Sequence, residues 1–263
     1  MNIFLYVIIF MCGTMFGSFY TLAVYRIPKN IDIVKKHSYC PNCNHKLGIF
    51  DLIPILSYIF LGGKCRYCKQ KIRPRYLILE ILSGVSFVLL AYTLKINIYT
   101  ITLKSIIPLI FMILYFTAII LISAIDKEYR NINKKVLAYG IIISLAYMIY
   151  LYVIEPTSIY RYAIYLIIYV SLLIISTIIL RKFAKDSYYL DLLLYYMIMV
   201  MFMEWTISLI TVLIFILEIL LYKIFKLRKS NIQEKEKPIP LGFFLGIGNI
   251  ITIFGMCIVN IFV

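Results

Sequence analysis

The chain has 263 residues, is 63% hydrophobic and carries 27 Lys and Arg against 12 Asp and Glu. Its mean hydropathy of +0.95 excludes a soluble domain with a polar surface and requires several membrane-spanning helices. The positive charge does not indicate nucleic acid, because 24 of the 27 basic residues lie in four segments, 26–75, 126–135, 181–191 and 223–237. We interpret these segments as one membrane face, which the positive-inside rule makes cytoplasmic and which favours contact with membrane lipid.

The apolar runs between these segments predict an all-α polytopic membrane protein with about eight transmembrane helices. No Lys or Arg precedes the first run, which places the N-terminus outside. The run 191–222 has basic flanks on both sides, so we expect two short passes that turn near Glu204-Trp205. The predicted spans are 3–25, 76–94, 105–125, 136–154, 162–180, the two passes within 191–222, and 239–263.

Four cysteines form two Cys-x-x-Cys pairs, 21 residues apart, in the polar stretch that follows the first span. Each pair presents two thiolates on one side of a tight turn, and two such pairs are typical of a tetrahedral zinc site. Thiols on a cytoplasmic loop stay reduced, which disfavours a disulfide. We therefore expect structural zinc bound by Cys40, Cys43, Cys65 and Cys68. Thiol redox catalysis is the alternative, although the helix that follows thioredoxin-like pairs is not indicated here.

Two aspartates lie where predicted spans meet the basic face. Asp126 follows the third span and Asp191 opens the sixth. Carboxyl groups that enter a membrane from one side can share a proton and activate water. A solvated loop position for Asp126 and a helix N-cap for Asp191 are the structural alternatives. The negative end of the third helix indicates that Asp126 would hold the proton and that Asp191 would be the base.

Several short motifs together identify a family. They are Gly17-Ser18-Phe19, Arg26-Ile27-Pro28, Ser38-Tyr-Cys40-Pro-Asn-Cys43, Asp51-Leu-Ile-Pro54, Gly62-Gly-Lys-Cys65-Arg-Tyr-Cys68, Ile72-Arg-Pro-Arg75-Tyr76, and Ile239-Pro240-Leu-Gly242-Phe-Phe-Leu245. With these motifs the chain resembles the type IV prepilin peptidases, which are membrane leader peptidases and N-methyltransferases. The resemblance runs from one end of the chain to the other and is most specific over residues 17–80.

The resemblance implies a membrane aspartyl protease with two catalytic aspartates. Asp126 matches the first of them. The second normally follows Gly-x-Gly, and neither candidate in this chain has those glycines. We choose Asp191, because it opens the apolar run and Trp205 follows at a family-like distance, with Asp186 as the alternative. Glycine permits close backbone approach, so Tyr188 and Leu190 in its place predict a crowded or rebuilt cleft.

The resemblance implies an aspartic endopeptidase of the cytoplasmic (inner) membrane that cleaves the basic leader of prepilin-like proteins. It also implies N-methylation of the new N-terminus with S-adenosylmethionine, for which we name no residues. The predicted division is a first transmembrane helix (1–25), a zinc-binding loop domain (26–75) and a protease domain (76–263), with the zinc loop and both aspartates on the cytoplasmic side. The alternative function is a subunit that binds pilin-like helices without cleaving them. No nucleic-acid partner is expected, and the sequence predicts no oligomeric state.

Overall fold

The computed structural model describes residues 2–33, 37–99, 101–154, 188–203, 205–228 and 238–262, with scattered positions between 163 and 178. Within these residues the chain forms eight α-helices and one short 3-10 helix, Ile49–Asp51. The α-helices are α1 (Asn2–Arg26), α2 (Leu56–Phe60), α3 (Arg75–Thr93), α4 (Leu103–Tyr129), α5 (Lys134–Ile154), α6 (Tyr188–Phe202), α7 (Trp205–Arg228) and α8 (Leu241–Phe262).

The predicted all-α membrane architecture is confirmed. Helices α1, α3, α4, α5 and α7 each contain a stretch long and apolar enough to cross a membrane, and α6 and α8 contain shorter apolar stretches. The run 191–222 is interrupted near the predicted position, because α6 ends at Phe202 and α7 begins at Trp205, and the reversal into two passes stays a prediction. The predicted span 162–180 lies largely outside the described residues.

Two compact units make up the fold, Met1–Ile113 and Leu114–Val263, and the boundary falls within α4. In the first unit α1 packs along α3 through glycines. A Cβ on Gly13 would lie 2.7 Å from the Ser83 carbonyl oxygen, and one on Gly17 would lie 2.7 Å from the Glu80 Cα. Such close backbone approach is how membrane helices gain packing energy. The two contacts run in opposite directions along the chain, so α1 and α3 are antiparallel and the loop 27–74 leaves and re-enters on one side.

In the second unit, α4 to α8 pack around buried polar contacts. The Tyr115 hydroxyl donates to the Asn249 side-chain oxygen at 2.9 Å, and the Ser123 and Tyr195 hydroxyls lie 2.9 Å apart. A Cβ on Gly246 would collide with both of those hydroxyls, so α8 can lie this close to α4 and α6 only with glycine there. These hydrogen bonds join helices where lipid offers no alternative partner. They hold the start of α8 next to the end of α4, where the candidate active site lies.

Candidate active site and metal centre

The two Cys-x-x-Cys pairs of the first unit form matching knuckles. Each knuckle is closed by an isolated antiparallel bridge, Tyr39 with Lys46 and Lys64 with Lys71. In each, the first cysteine accepts a hydrogen bond from the N–H four residues on and donates its own N–H to the carbonyl five residues on. These contacts are Cys40 with Asn44 (2.8 Å) and His45 (3.0 Å), and Cys65 with Lys69 (3.0 Å) and Gln70 (2.9 Å).

The four predicted metal ligands converge. Their sulfur atoms all lie within 4.8 Å of one another, and Cys40 Sγ is 3.9 Å from Cys68 Sγ. Zn–S bonds of about 2.3 Å in a tetrahedron place sulfurs about 3.8 Å apart, so the cluster fits zinc. The Gln70 N–H and then the Asn42 amide lower the pKa of the Cys68 thiol to about 6, which favours a thiolate there. The His45 backbone lowers the pKa of the Cys43 thiol, but burial and the neighbouring thiols outweigh it and raise that pKa to about 11, so the convergence of the four sulfurs is the evidence for the metal site. Cys40, Cys43, Cys65 and Cys68 would hold zinc as a structural ion.

Asp51 ties the segment after the first knuckle to the second knuckle. Its Oδ1 accepts a hydrogen bond from Arg66 Nε at 2.6 Å, and its Oδ2 accepts one from the Gly48 N–H at 3.1 Å. Burial raises the pKa of Asp51, but the Arg66 guanidinium and the Gly48 N–H outweigh it and hold that pKa below its ordinary value. The carboxylate therefore stabilises the loop in its ionised form.

Asp126 lies in the last turn of α4, which continues to Tyr129, four residues beyond the predicted end of this span. The residue is fully buried. Its Oδ2 accepts hydrogen bonds from the Tyr188 hydroxyl at 3.1 Å and from the Phe243 N–H at 3.0 Å. A Cβ on Gly242 would lie 3.1 Å from the same oxygen, so glycine there gives Asp126 access to the start of α8. The solvated loop alternative for Asp126 is wrong.

The neighbouring groups fix the direction in which the Tyr188 hydroxyl donates its hydrogen bond. It accepts hydrogen bonds from the N–H groups of Leu241 at 2.9 Å and Gly242 at 3.3 Å. A phenol has a single proton, so with its lone pairs occupied Tyr188 donates that proton to Asp126 Oδ2. Oδ2 therefore receives two donors and can only accept. A proton carried by Asp126 would have to sit on Oδ1, which is buried and has no hydrogen-bond partner.

The structure adds a second helix end to the electrostatics of Asp126. The carboxylate meets the negative end of α4 but also the positive end of α8, whose first N–H groups point at Asp126 and Tyr188. The positive end stabilises a negative charge and so opposes the effect of α4. The sequence argument for a proton on Asp126 uses the negative end of α4 and the favourable N-terminal position of Asp191, and the positive end of α8 offsets the part that concerns α4.

Asp191 lies one helical turn after Tyr188 in the first turn of α6. Residues three apart on a helix share a face, with Cβ atoms about 5–6 Å apart, so Asp191 lies on the face whose Tyr188 contacts Asp126. Asp191 is 3% exposed, its Oδ2 has no hydrogen-bond partner, and the Lys134 ammonium acts on it electrostatically. The assignment of Asp126 and Asp191 as a catalytic pair stays a prediction. The alternative, Asp186, lies outside the described residues.

Sequence reasoning missed the role of Tyr188. By its position three residues before Asp191, the sequence pattern indicates only a missing glycine and predicts crowding. The structure instead places its hydroxyl between Asp126 and the start of α8. The motif Ile239-Pro240-Leu-Gly242 was the available signal, because its N–H groups are the ones that Tyr188 contacts.

The family model that matches this chain covers residues of the first unit. A model of the bacterial peptidase A24 N-terminal domain matches residues 11–94. A prepilin leader peptidase/N-methyltransferase of Klebsiella pneumoniae is 30% identical over 126 residues, which is 46% of this chain and 51% of that protein. Proteins of the same name are 37% identical over 98 residues in Vibrio cholerae (34% of this chain, 37% of that protein) and 40% identical over 80 residues in Bacillus subtilis (30% and 32%).

The matched part of this chain spans about half the length of these curated relatives, or less. No solved structure matches it. The match covers the glycine-mediated packing of α1 on α3 and both cysteine knuckles. Over residues 11–94 the chain is therefore similar to the bacterial peptidase A24 N-terminal domain, and the relatives that it matches are named prepilin leader peptidase/N-methyltransferases.

Proposed function

We propose that this protein is a prepilin leader peptidase, an aspartic endopeptidase that removes the basic leader of prepilin-like proteins. The names of the relatives support the reaction class. The observation that carries the proposal is the pair of buried carboxylates in the second unit. Asp126 and Asp191 each have a buried oxygen without a hydrogen-bond partner, and Tyr188 joins the helix that carries Asp191 to Asp126. Buried carboxylate oxygens without a hydrogen-bond partner are costly inside a membrane protein and are candidates for functional sites.

The reaction follows from two carboxyl groups that share one proton. The ionised carboxylate takes a proton from water, which attacks the scissile carbonyl, and the protonated carboxyl donates to the carbonyl oxygen. On Asp126 the reacting atom is Oδ1, because Tyr188 and the Phe243 N–H occupy Oδ2. The hydrogen bonds to Oδ2 fix the carboxylate plane, so Oδ1 keeps one orientation during the reaction.

The zinc loop and the second activity are part of the same proposal. Zinc on Cys40, Cys43, Cys65 and Cys68 would stabilise a loop that has few buried apolar side chains of its own. The names of the relatives also support N-methylation of the new N-terminus, with S-adenosylmethionine as methyl donor. The distribution of basic residues supports a cytoplasmic position for the zinc loop and both aspartates, in the inner membrane.

Cleavage of a prepilin by the purified full chain, followed by mass spectrometry, tests the proposal. The wild type should cut after the leader, and with S-adenosylmethionine the product should gain the mass of one methyl group. Asp126→Asn and Asp191→Asn should both lose cleavage, to a similar extent, because the two helix ends at Asp126 oppose each other. Asp186→Asn is the matched control and should cut.

The same assay separates the alternatives. Loss of cleavage in Asp186→Asn with retention in Asp191→Asn would identify Asp186 as the second aspartate. A wild-type protein that binds prepilins but leaves them intact would refute the peptidase and support a pilin-binding subunit.

A further inference from the structure

An apolar patch lies on two neighbouring segments of the zinc loop, the 3-10 helix Ile49–Asp51 and α2. It consists of Ile49, Phe50, Leu56, Ile59 and Phe60, which are 83%, 78%, 48%, 60% and 83% exposed. Exposed apolar clusters of this kind mark surfaces that bind a protein or a membrane. We propose that the apolar patch inserts into the headgroup and upper acyl region of the bilayer that α1 and α3 span. This inference concerns the anchoring of the loop and is independent of the peptidase reaction.

Hydrogen bonds to α3 and within the loop fix the segment that carries the apolar patch. The Ile55 N–H donates to Glu80 Oε2 at 2.7 Å, and the Tyr58 hydroxyl donates to the Ile72 carbonyl at 3.3 Å. Ile55 has φ of 62°, a left-handed conformation that costs a β-branched residue about 1–3 kcal/mol. Ile55 adopts this conformation where its N–H contacts Glu80, and the neighbouring side chains of Leu56, Ile59 and Phe60 are exposed.

The contact with Glu80 also sets the depth of the patch. Glu80 is the sixth residue of α3, about 8 Å along the helix axis from Arg75. The 19 residues of α3 extend about 28 Å, which is close to the thickness of the hydrocarbon core, so the start of α3 lies at the boundary of that core. A segment hydrogen-bonded to Glu80 is therefore held about 8 Å beyond Arg75 toward the bilayer centre, at the depth of the upper acyl region rather than out in solvent.

The positive charge of the loop favours anionic lipid as the binding partner of the apolar patch. Segment 26–75 contains eleven Lys and Arg against two acidic residues, Asp32 and Asp51. Basic residues beside apolar side chains are attracted to anionic headgroups, at about 1 kcal/mol for each Lys or Arg near the surface. The leader of a prepilin-like substrate is basic and would be repelled by the same charge. An anionic bilayer surface matches both the apolar and the basic parts of this loop.

Tryptophan fluorescence of the full chain in liposomes of phosphatidylethanolamine and phosphatidylglycerol tests the proposal. Trp205→Phe removes the single tryptophan, and Phe50→Trp or Phe60→Trp then places an indole in the patch with little change in size. Tyr67→Trp, at a 45% exposed ring between two zinc ligands, is the matched control. Zinc content, measured for each variant, verifies that the loop is folded.

Lipids brominated near the glycerol end should quench the indoles at positions 50 and 60 several-fold more than the indole at position 67, and aqueous iodide should show the opposite order. Equal iodide quenching at all three positions would overturn the proposal. So would indoles at 50 and 60 that lose their iodide quenching only when a prepilin peptide is added, because the patch would then bind substrate instead of lipid.

Discussion

Tyr188→Phe removes a single hydroxyl that makes three contacts in the candidate active site. Asp126 Oδ2 loses one of its two donors, and the N–H groups of Leu241 and Gly242 lose their acceptor. A hydrogen bond to a charged group contributes about 1.5–3 kcal/mol. If that energy serves to orient Asp126, its loss lowers the rate by about 10- to 100-fold at about 1.4 kcal/mol for each factor of ten. The loss should appear in kcat, with little change in KM, because Tyr188 acts through Asp126.

The assay is steady-state cleavage of a prepilin peptide by purified protein. Tyr189→Phe is the matched control, since the neighbouring ring is 55% exposed, and it should retain wild-type kcat and KM. Tyr188→Gly, which restores the residue that the family resemblance implies, should be no more active than Tyr188→Phe. Wild-type kcat in Tyr188→Phe, alongside an inactive Asp126→Asn, would refute the positioning role of the hydroxyl while leaving the peptidase intact. An inactive wild type would refute the peptidase itself.

The remaining predictions concern the zinc loop and the packing of α8. Cys65→Ser should lose zinc, and its loop should become sensitive to protease. Cys12→Ser, outside the cluster, is the control and should keep wild-type zinc content. Retention of zinc in Cys65→Ser would contradict the four-cysteine site. Gly246→Ala should lower the free energy of unfolding in detergent by about 1–3 kcal/mol, because the new methyl group overpacks the contact with α4 and α6. Gly255→Ala in the same helix is the control and should be nearly neutral, because nothing lies within 4 Å of the new Cβ. Equal melting temperatures of the two variants would argue against the close approach of α8. Asp51→Asn should make the loop slightly less protease-resistant at neutral pH, and the effect should be small because the arginine partner is half exposed. The pKa of Asp51 is lowered in the folded loop, so its stabilising contribution is present above pH ~4 and is lost as the pH falls through that lowered pKa. The difference in protease resistance between Asp51→Asn and the wild type should therefore disappear in acid. A difference that stays constant with pH would exclude the carboxylate as its source.

The sequence alone determined the parts of this protein that depend on local pattern. Apolar runs of about 20 residues must be helices in a membrane, because a helix satisfies its backbone hydrogen bonds internally. Two Cys-x-x-Cys turns position their own thiols, so the convergence of Cys40, Cys43, Cys65 and Cys68 on a possible metal site was predictable without knowledge of the rest of the fold. The apolar run also placed Asp126 near the end of its helix, although α4 continues to Tyr129.

The tertiary structure decided the surroundings of Asp126. Its donors come from Tyr188 and Phe243, which are 62 and 117 residues away in the chain. No local pattern encodes which helix start will meet which helix end, because that depends on how close the helices can approach, and Gly242 permits the contact here. The local pattern at Tyr188 therefore indicated only a missing glycine and a crowded cleft. In the packed structure the Tyr188 hydroxyl donates a hydrogen bond to Asp126 Oδ2. A buried hydroxyl must form hydrogen bonds, and the packing of the neighbouring helices determines which partners lie within reach.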